Sequence, residues 1–130
     1  MEATKNTNIK LYVSTFYQEG GSPEFDAGIK EYINTNSEAL AANGGNDTIS
    51  AVTAMGYDAY FVALEAMKKA GSGDKAALMQ ILPSVTYTGV SGAIAFDDVG
   101  DAVRDTAYIK TSDNANGSWI LETVQTGSAS

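Results

Sequence analysis

The spacing of the apolar residues changes at Pro83, and this change constrains the fold more than any other feature of the sequence. Before Pro83 apolar residues recur three or four positions apart, which predicts helices; after it they alternate with polar residues, which predicts strands. An earlier alternating segment, residues 9–16, predicts a strand that buries Ile9, Leu11 and Val13. The predicted order is therefore β-α-α-α followed by short β-strands and a C-terminal hairpin, an α/β chain.

The first helix has a clear start. Ser22 suits the N-cap, and Pro23 suits the first helical position, where a missing N–H costs nothing. The pattern fades at residues 34–37, and residues 43–46 predict a loop. The inward face is predicted to consist of Phe25, Ile29, Tyr32 and Ile33.

The second helix is long, with Asp47 or Thr48 as its predicted N-cap and Gly71 as its left-handed C-terminal residue. Many of its apolar positions are alanine, which predicts close packing against a sheet. A third, short helix is predicted between Asp74 and Pro83. The predicted buried stripe of the long helix is Val52, Met55, Ala59, Tyr60, Ala63, Met67 and Ala70.

The strands after Pro83 are short. Residues 88–96 predict one glycine-interrupted strand, and residues 97–101 predict a turn. Residues 104–110 and 118–124 predict a β-hairpin joined by a polar loop at residues 111–117.

Composition excludes several classes of chemistry. The chain of 130 residues has no cysteine and no histidine, so thiol catalysis, disulfides, His-based triads and His- or Cys-ligated metals are ruled out. Eight basic and 16 acidic residues give a net charge of −8, which argues against a nucleic-acid partner. The length predicts a single domain over residues 1–130. Neither a signal peptide nor a membrane-spanning helix is expected from the apolar pattern.

Three groups of residues match known binding or catalytic motifs only in part. Residues 71–76 fit G-x-G-x-x-A, but a helix rather than a strand precedes them, so a helix-to-helix turn is favoured over phosphate binding. Ser72 and Lys75 fit S-x-x-K, and residues 112–114 fit S-D-N, two elements of serine β-lactamases. The third element, K-T-G, is missing. The four acidic residues Asp97, Asp98, Asp101 and Asp105 lack the spacing of a calcium loop and predict a tight turn.

The remaining candidate side chains favour structural interpretations. Glu65 with Lys68 and Lys69 predicts a solvated ion-pair face. Trp119 is expected to anchor the packing of the last strand, and the aromatic residues Tyr57, Tyr60 and Phe61 are expected in the core. No catalytic residue, cofactor site or metal site follows from these patterns, so a non-enzymatic protein is expected.

Five stretches in this order resemble the C-terminal portion of the branched-chain amino acid binding proteins, the extracellular receptors of ABC importers: residues 54–59, 64–71, 85–101, 107–110 and 117–119. The resemblance covers about residues 9–124. It implies an incomplete periplasmic-binding-protein-like type I domain, a truncated piece of a two-lobed receptor that closes on its ligand. It also implies that Gly56-Tyr57-Asp58-Ala59 and residues 96–101 are structural.

By this resemblance, residues 9–17 cross the hinge, residues 22–101 belong to the first lobe, and the hairpin from about Arg104 crosses back. Most family contacts to the ligand come from upstream segments. The one ligand-binding position within this chain is Val52, five residues before Tyr57, where relatives often have an aromatic residue.

The implied partners are a small amino acid ligand and the membrane permease of an ABC importer. The implied location is extracellular or periplasmic, with lipid anchoring of the intact protein an option. Two alternatives remain open: a sensory or regulatory ligand-binding domain of the same fold, and a standalone interaction domain without ligand binding. Strand edges at residues 9–16 and 89–96 predict a homo-oligomer.

Overall fold

A computed structural model describes residues 4–127. The elements in chain order are β1 (Tyr12–Thr15), α1 (Pro23–Thr35), α2 (Ser37–Ala42), α3 (Ala51–Ala70), α4 (Lys75–Ile81), a 3-10 turn (Leu82–Ser84), β2 (Tyr87–Gly89), β3 (Gly92–Phe96), β4 (Ala102–Val103), β5 (Thr106–Asp113) and β6 (Ser118–Thr126). None of the described helices has the length and apolar character needed to cross a bilayer.

The elements form two parts. The helical unit comprises the helices and an antiparallel sheet in the order β2-β3-β4, and the ribbon is an antiparallel sheet in the order β1-β5-β6. The predicted C-terminal hairpin is confirmed as β5-β6, with longer strands and a shorter loop than expected. The ribbon contains two strands that are distant in sequence, because β1 pairs with β5 from Tyr12 opposite Thr111 to Thr15 opposite Tyr108.

The core of the helical unit consists of two apolar clusters along α3. Tyr17, Phe25, Ile49 and Ala54 form the first; Val62, Ala66, Val85 and Ile94 form the second. Between them lies Asp58, which is fully buried. The buried face of α3 is thus Ala54, Asp58, Val62 and Ala66, a strict four-residue repeat.

The stripe predicted for α3 is wrong. Val52 is 76% exposed, and Tyr60, Ala59, Ala63 and Met67 are exposed as well. The buried face contains Asp58, whereas a hydrophobicity pattern assigns any aspartate to the exposed side of a helix. A carboxylate can occupy such a position when hydrogen bonds replace its water, and the next section describes these bonds.

The structure confirms some of the predicted helix-capping residues and corrects others. Asp74 caps α4 as predicted, accepting hydrogen bonds from Ala76 N (3.0 Å) and Ala77 N (3.1 Å). The N-cap of α3 is Ser50, which accepts from Thr53 N at 3.2 Å, and not Asp47 or Thr48. Gly71 has φ +62°, which confirms the left-handed end of α3.

One helix was not predicted, and the inward face of α1 differs from the prediction. The loop predicted at residues 43–46 is confirmed, but α2 precedes it, because the Asn36 side chain caps a new turn by accepting from Glu38 N and Ala39 N. Tyr32 is 60% exposed, so the inward face of α1 is narrower than predicted. Phe25 and Ile33 are buried as expected.

Two strand predictions are also wrong. Residues 88–96 form two strands, β2 and β3, joined by a two-residue turn at Val90 and Ser91. The predicted buried face of the first strand is absent, because Ile9, Leu11 and Val13 are 39% to 55% exposed. An alternating pattern identifies a face that can be buried, but the described residues cover that face only in part.

Candidate functional site

A cleft of about 620 Å³ lies where the ribbon meets the helical unit, and its volume suits a small ligand. One wall comes from the segment after β1 and the loop before α3, and the other from the β5-β6 hairpin. The lining residues are Gln18, Glu19, Asn46, Thr48, Lys110, Gly117, Ser118 and Trp119.

Glu19 fixes one wall of this cleft. Its Oε1 accepts a hydrogen bond from Ile49 N at 2.8 Å, and its Oε2 lies 2.6 Å from Lys30 Nζ. The hydrogen bond to Glu19 raises the pKa of Lys30 above its ordinary value. Both carboxylate oxygens are therefore engaged within the protein, and Glu19 holds the wall in place.

One other polar group in the cleft, the Lys110 ammonium, is available to a ligand. Lys110 forms no ion pair with a described residue. The side-chain oxygen of Gln18 is buried and has no hydrogen-bond partner among residues 4–127. A cation suits a carboxylate. The cleft can thus supply a partner to the carboxylate end of a small ligand.

Trp119 provides the apolar wall. Its side chain is 42% exposed, so its predicted role as a packing anchor is wrong. In the β5-β6 register Ser112 pairs with Trp119, and Lys110 pairs with Leu121. Since paired residues share a face of a sheet, Trp119 and Lys110 both lie on the cleft face of the ribbon. Sequence reasoning missed Gln18, Glu19 and Lys110; only their positions near predicted strand ends hinted at them.

Val52, the ligand-binding residue predicted from the resemblance, lies in the first turn of α3. It is four residues beyond Thr48, which lines the cleft, but is not itself part of the lining. The structure does not bring Val52 together with Lys110 or Trp119 in the lining of this cleft, and its side chain is exposed.

Asp58 ties α3 to the β2-β3 turn. Its Oδ1 accepts from Val90 N at 2.9 Å, and its Oδ2 accepts from Ser91 N at 2.8 Å and from the Ser91 hydroxyl. A Cβ atom on Gly89 would overlap with this carboxylate, so the turn requires glycine there. The structural role expected of Asp58 is confirmed.

A connected set of contacts extends from this turn to the junction with the ribbon. Arg104 Nη1 donates to Ser91 O at 2.9 Å and to Ser91 Oγ at 3.0 Å. The same guanidinium lies 5.7 Å from the ring centroid of Phe16, a cation–π contact. Phe16 directly follows β1 and Arg104 precedes β5, so the contact joins the two chain segments that connect the ribbon to the helical unit.

The other predicted motifs are structural. Ser72 lies in the α3-α4 turn and accepts from Asp74 N, whereas Ser112 is buried in β5, so the S-x-x-K and S-D-N elements occupy different parts of the molecule. Asp97 Oδ1 accepts from Val99 N and Asp101 N, which confirms the tight turn. No group of three or more potential metal-ligating side chains occurs among residues 4–127.

The ion-pair and aromatic predictions have mixed outcomes. Lys68 Nζ lies 2.6 Å from Glu65 Oε1, as predicted, while Lys69 donates instead to Ser84 O at 2.6 Å. Phe61 is half-buried against Tyr87, but Tyr60 is 62% exposed and Tyr57 is 42% exposed, so core placement is wrong for those two tyrosines.

One comparison with known proteins identifies a similar structure. The crystal structure of a leucine-binding protein, LivK, from Thermotoga maritima matches 96% of this chain with a TM-score of 0.62 and 28% sequence identity. The chain spans 32% of the length of that protein. No protein-family model matches the chain, and no curated protein matches it.

The match confirms the predicted fold class. The chain is a mixed α/β protein that matches a fragment of the periplasmic-binding-protein-like fold. Its two small sheets are consistent with an incomplete domain of that fold.

Proposed function

We propose that the chain is part of an extracellular solute-binding receptor of an ABC importer for branched-chain or similar amino acids. The observation that supports this proposal is the match to LivK, a leucine-binding protein, over 96% of the chain at 28% identity. In this proposal the protein is not an enzyme, and its partners are an amino acid ligand and a membrane permease. The intact receptor acts outside the cell or in the periplasm.

The mechanism follows from the arrangement of the two parts. The chain segments at Phe16 and Arg104 connect the ribbon to the helical unit, and the lining of the cleft begins at Gln18, two residues after Phe16. In the intact receptor a hinge motion at these segments closes the cleft over the ligand. Closure excludes water, so each polar contact to the ligand contributes more than it would in an open cleft.

The residues of the cleft have distinct roles in this proposal. Lys110 pairs with the ligand carboxylate, and Trp119 contacts the aliphatic side chain. Val52 contributes an apolar contact after closure, from the first turn of α3. Glu19 positions the wall through Lys30 and Ile49 and does not contact the ligand.

A chimera tests the proposal. The third of LivK that matches this chain is replaced by residues 4–127, and branched-chain amino acids are titrated into the purified chimera by calorimetry. We expect binding at least 100-fold tighter than the millimolar limit expected for the isolated chain, because the remaining two-thirds of LivK supplies the other contacts. A folded chimera that binds no amino acid would contradict the proposal.

Two matched substitutions in the chimera test Val52. Val52→Asp is expected to weaken binding at least tenfold, or about 1.4 kcal/mol, because it brings a carboxylate into an apolar contact. Val99→Asp makes the same chemical change at a residue of similar exposure, 83% against 76%, in the turn at residues 97–101. It should leave binding unchanged. Equal effects of the two substitutions would exclude Val52 from the site.

A further inference from the structure

The chain passes between the ribbon and the helical unit twice, once after β1 and once between β4 and β5. Among residues 4–127, no hydrogen bond or ion pair joins a residue of β1, β5 or β6 to the helical unit. The strands of the ribbon make their ladder hydrogen bonds with one another. The position of the ribbon relative to the helical unit therefore depends on the two connecting segments.

Each connecting segment is fixed on the side of the helical unit. Tyr17, the second residue after β1, is 3% exposed and belongs to the first apolar cluster. Val103, the last residue of β4, pairs with Ala95 of β3. Phe16 and Arg104 are the next residues towards the ribbon, so they lie where a rotation of the ribbon would begin.

Arg104, the only arginine of the chain, contacts both the other connecting segment and the β2-β3 turn. Its guanidinium lies 5.7 Å from the ring centroid of Phe16, and its Nη1 donates to Ser91 O at 2.9 Å and to Ser91 Oγ at 3.0 Å. The Ser91 hydroxyl in turn donates to the carboxylate of the fully buried Asp58. A planar guanidinium can stack on a ring while it donates hydrogen bonds, a geometry that a lysine ammonium does not offer.

We propose that Arg104 is a positioning residue for the cleft, because it joins Phe16 to Ser91 and so sets the angle between the ribbon and the helical unit. The Phe16 ring holds the guanidinium on the ribbon side, and the Ser91 oxygens hold it on the side of the helical unit. Without Arg104 the two connecting segments lose this link, and the ribbon is free to take a wider range of angles.

The angle matters for the cleft because its two walls belong to different parts of the molecule. Thr48 lies in the wall that the helical unit supplies, whereas Lys110 and Trp119 belong to the ribbon. Arg104 does not line the cleft, so it acts on the site only through the position of the ribbon. The effect of Arg104 on ligand binding rests on the proposed function, but its effect on the angle does not.

Two spin labels measure the position of the ribbon directly, because the chain has no cysteine of its own. Met79→Cys places one label on α4 and Val124→Cys places the other on β6; the native side chains are 62% and 43% exposed. Pulsed electron paramagnetic resonance on the isolated chain gives the distribution of distances between the labels. We expect one narrow distribution when Arg104 is present and a broader, shifted distribution after Arg104→Gln.

Lys69→Gln is the matched control. Lys69 Nζ donates to Ser84 O at 2.6 Å within the helical unit, so this substitution also removes one positive charge and one hydrogen bond to a backbone carbonyl. It leaves both connecting segments intact, so the distance distribution should keep its mean and its width. Equal broadening by Lys69→Gln and Arg104→Gln, or no change after Arg104→Gln, would overturn the proposal.

Two substitutions of Phe16 separate the cation–π contact from apolar packing and from a general loss of folding. Phe16→Tyr keeps an aromatic face for the guanidinium and should keep the narrow distribution. Phe16→Leu keeps an apolar side chain without that face, and should broaden the distribution as Arg104→Gln does. A narrow distribution for Phe16→Leu would contradict the proposal, because apolar packing alone would then hold the ribbon.

Calorimetry of the LivK chimera tests the consequence for the ligand. Arg104→Gln should weaken leucine binding by roughly 2- to 30-fold, the range for residues that influence a site without touching its ligand. Lys69→Gln should leave binding unchanged. A chimera that binds no leucine counts against the proposed function and leaves the spin-label result to decide the role of Arg104. A chimera that binds leucine equally well with and without Arg104→Gln would overturn the positioning role.

Discussion

At the scale of single residues, buried polar groups carry more of the fold than the sequence suggested. Asp58 is fully buried, and Tyr17 is 3% exposed. The Tyr17 hydroxyl donates to Asp26 Oδ1, and Gly20 N donates to Asp26 Oδ2 at 2.7 Å. Neither partnership could be predicted, because hydrogen bonds between side chains of different elements leave no periodic signal in the sequence.

The Tyr17 contact predicts a pH dependence. Burial, followed by the hydrogen bond to Asp26, raises the pKa of Tyr17 well above its ordinary value near 10. The folded state therefore holds the proton more tightly than the unfolded state. This contribution to stability is fully present below about pH 10 and is lost as pH rises through the folded-state pKa.

Tyr17→Phe should make the free energy of unfolding less dependent on pH above about 10. The difference in slope approaches about 1.4 kcal/mol per pH unit, which corresponds to one proton. Urea denaturation between pH 8 and 11.5, a window about the unperturbed tyrosine pKa, measures it. Tyr12→Phe is the control, because Tyr12 is 58% exposed on β1. Identical slopes for Tyr17→Phe and the unmodified chain would contradict the account.

At the scale of elements, the sequence predicted which segments are helices and strands better than which faces they bury. α1, α3, α4 and the C-terminal hairpin were all predicted, because capping residues, glycine and proline act locally. The buried face of α3 was not predicted, because Asp58 is buried through its bonds to Val90 and Ser91, more than thirty residues away. The turn that divides residues 88–96 was missed because Val90, a β-branched residue, is unusual in a turn.

The hydrogen bonds between Asp58 of α3 and the β2-β3 turn give a stability prediction. Asp58→Ala leaves the part-buried N–H groups of Val90 and Ser91 without acceptors, which should lower the free energy of unfolding by about 2–4 kcal/mol. Asp98→Ala, at an exposed position in the turn at residues 97–101, should change it by less than about 0.5 kcal/mol. Chemical denaturation followed by circular dichroism compares the two. Similar losses for both variants would contradict a specific role for Asp58.

At the scale of the whole molecule, the resemblance in the sequence and the match in structure agree on the fold. Five stretches between residues 54 and 119, taken in their order along the chain, predicted an incomplete binding-protein fold. The LivK match confirmed that fold. The cleft could not be predicted, because it forms only where β1 pairs with β5, some ninety residues away in sequence. Val52 remains a prediction from the resemblance.

The central claim is that this chain contains one part of an amino acid site and not the whole of it. Calorimetric titration of the isolated chain with leucine, isoleucine and valine tests that claim most directly. The chain spans 32% of LivK, and its cleft is open to solvent, so we expect dissociation constants no tighter than about 1 mM, or about 4 kcal/mol. A micromolar dissociation constant that Val52→Asp abolishes and Val99→Asp preserves would contradict the claim, because it would show that a complete pocket exists within these 130 residues.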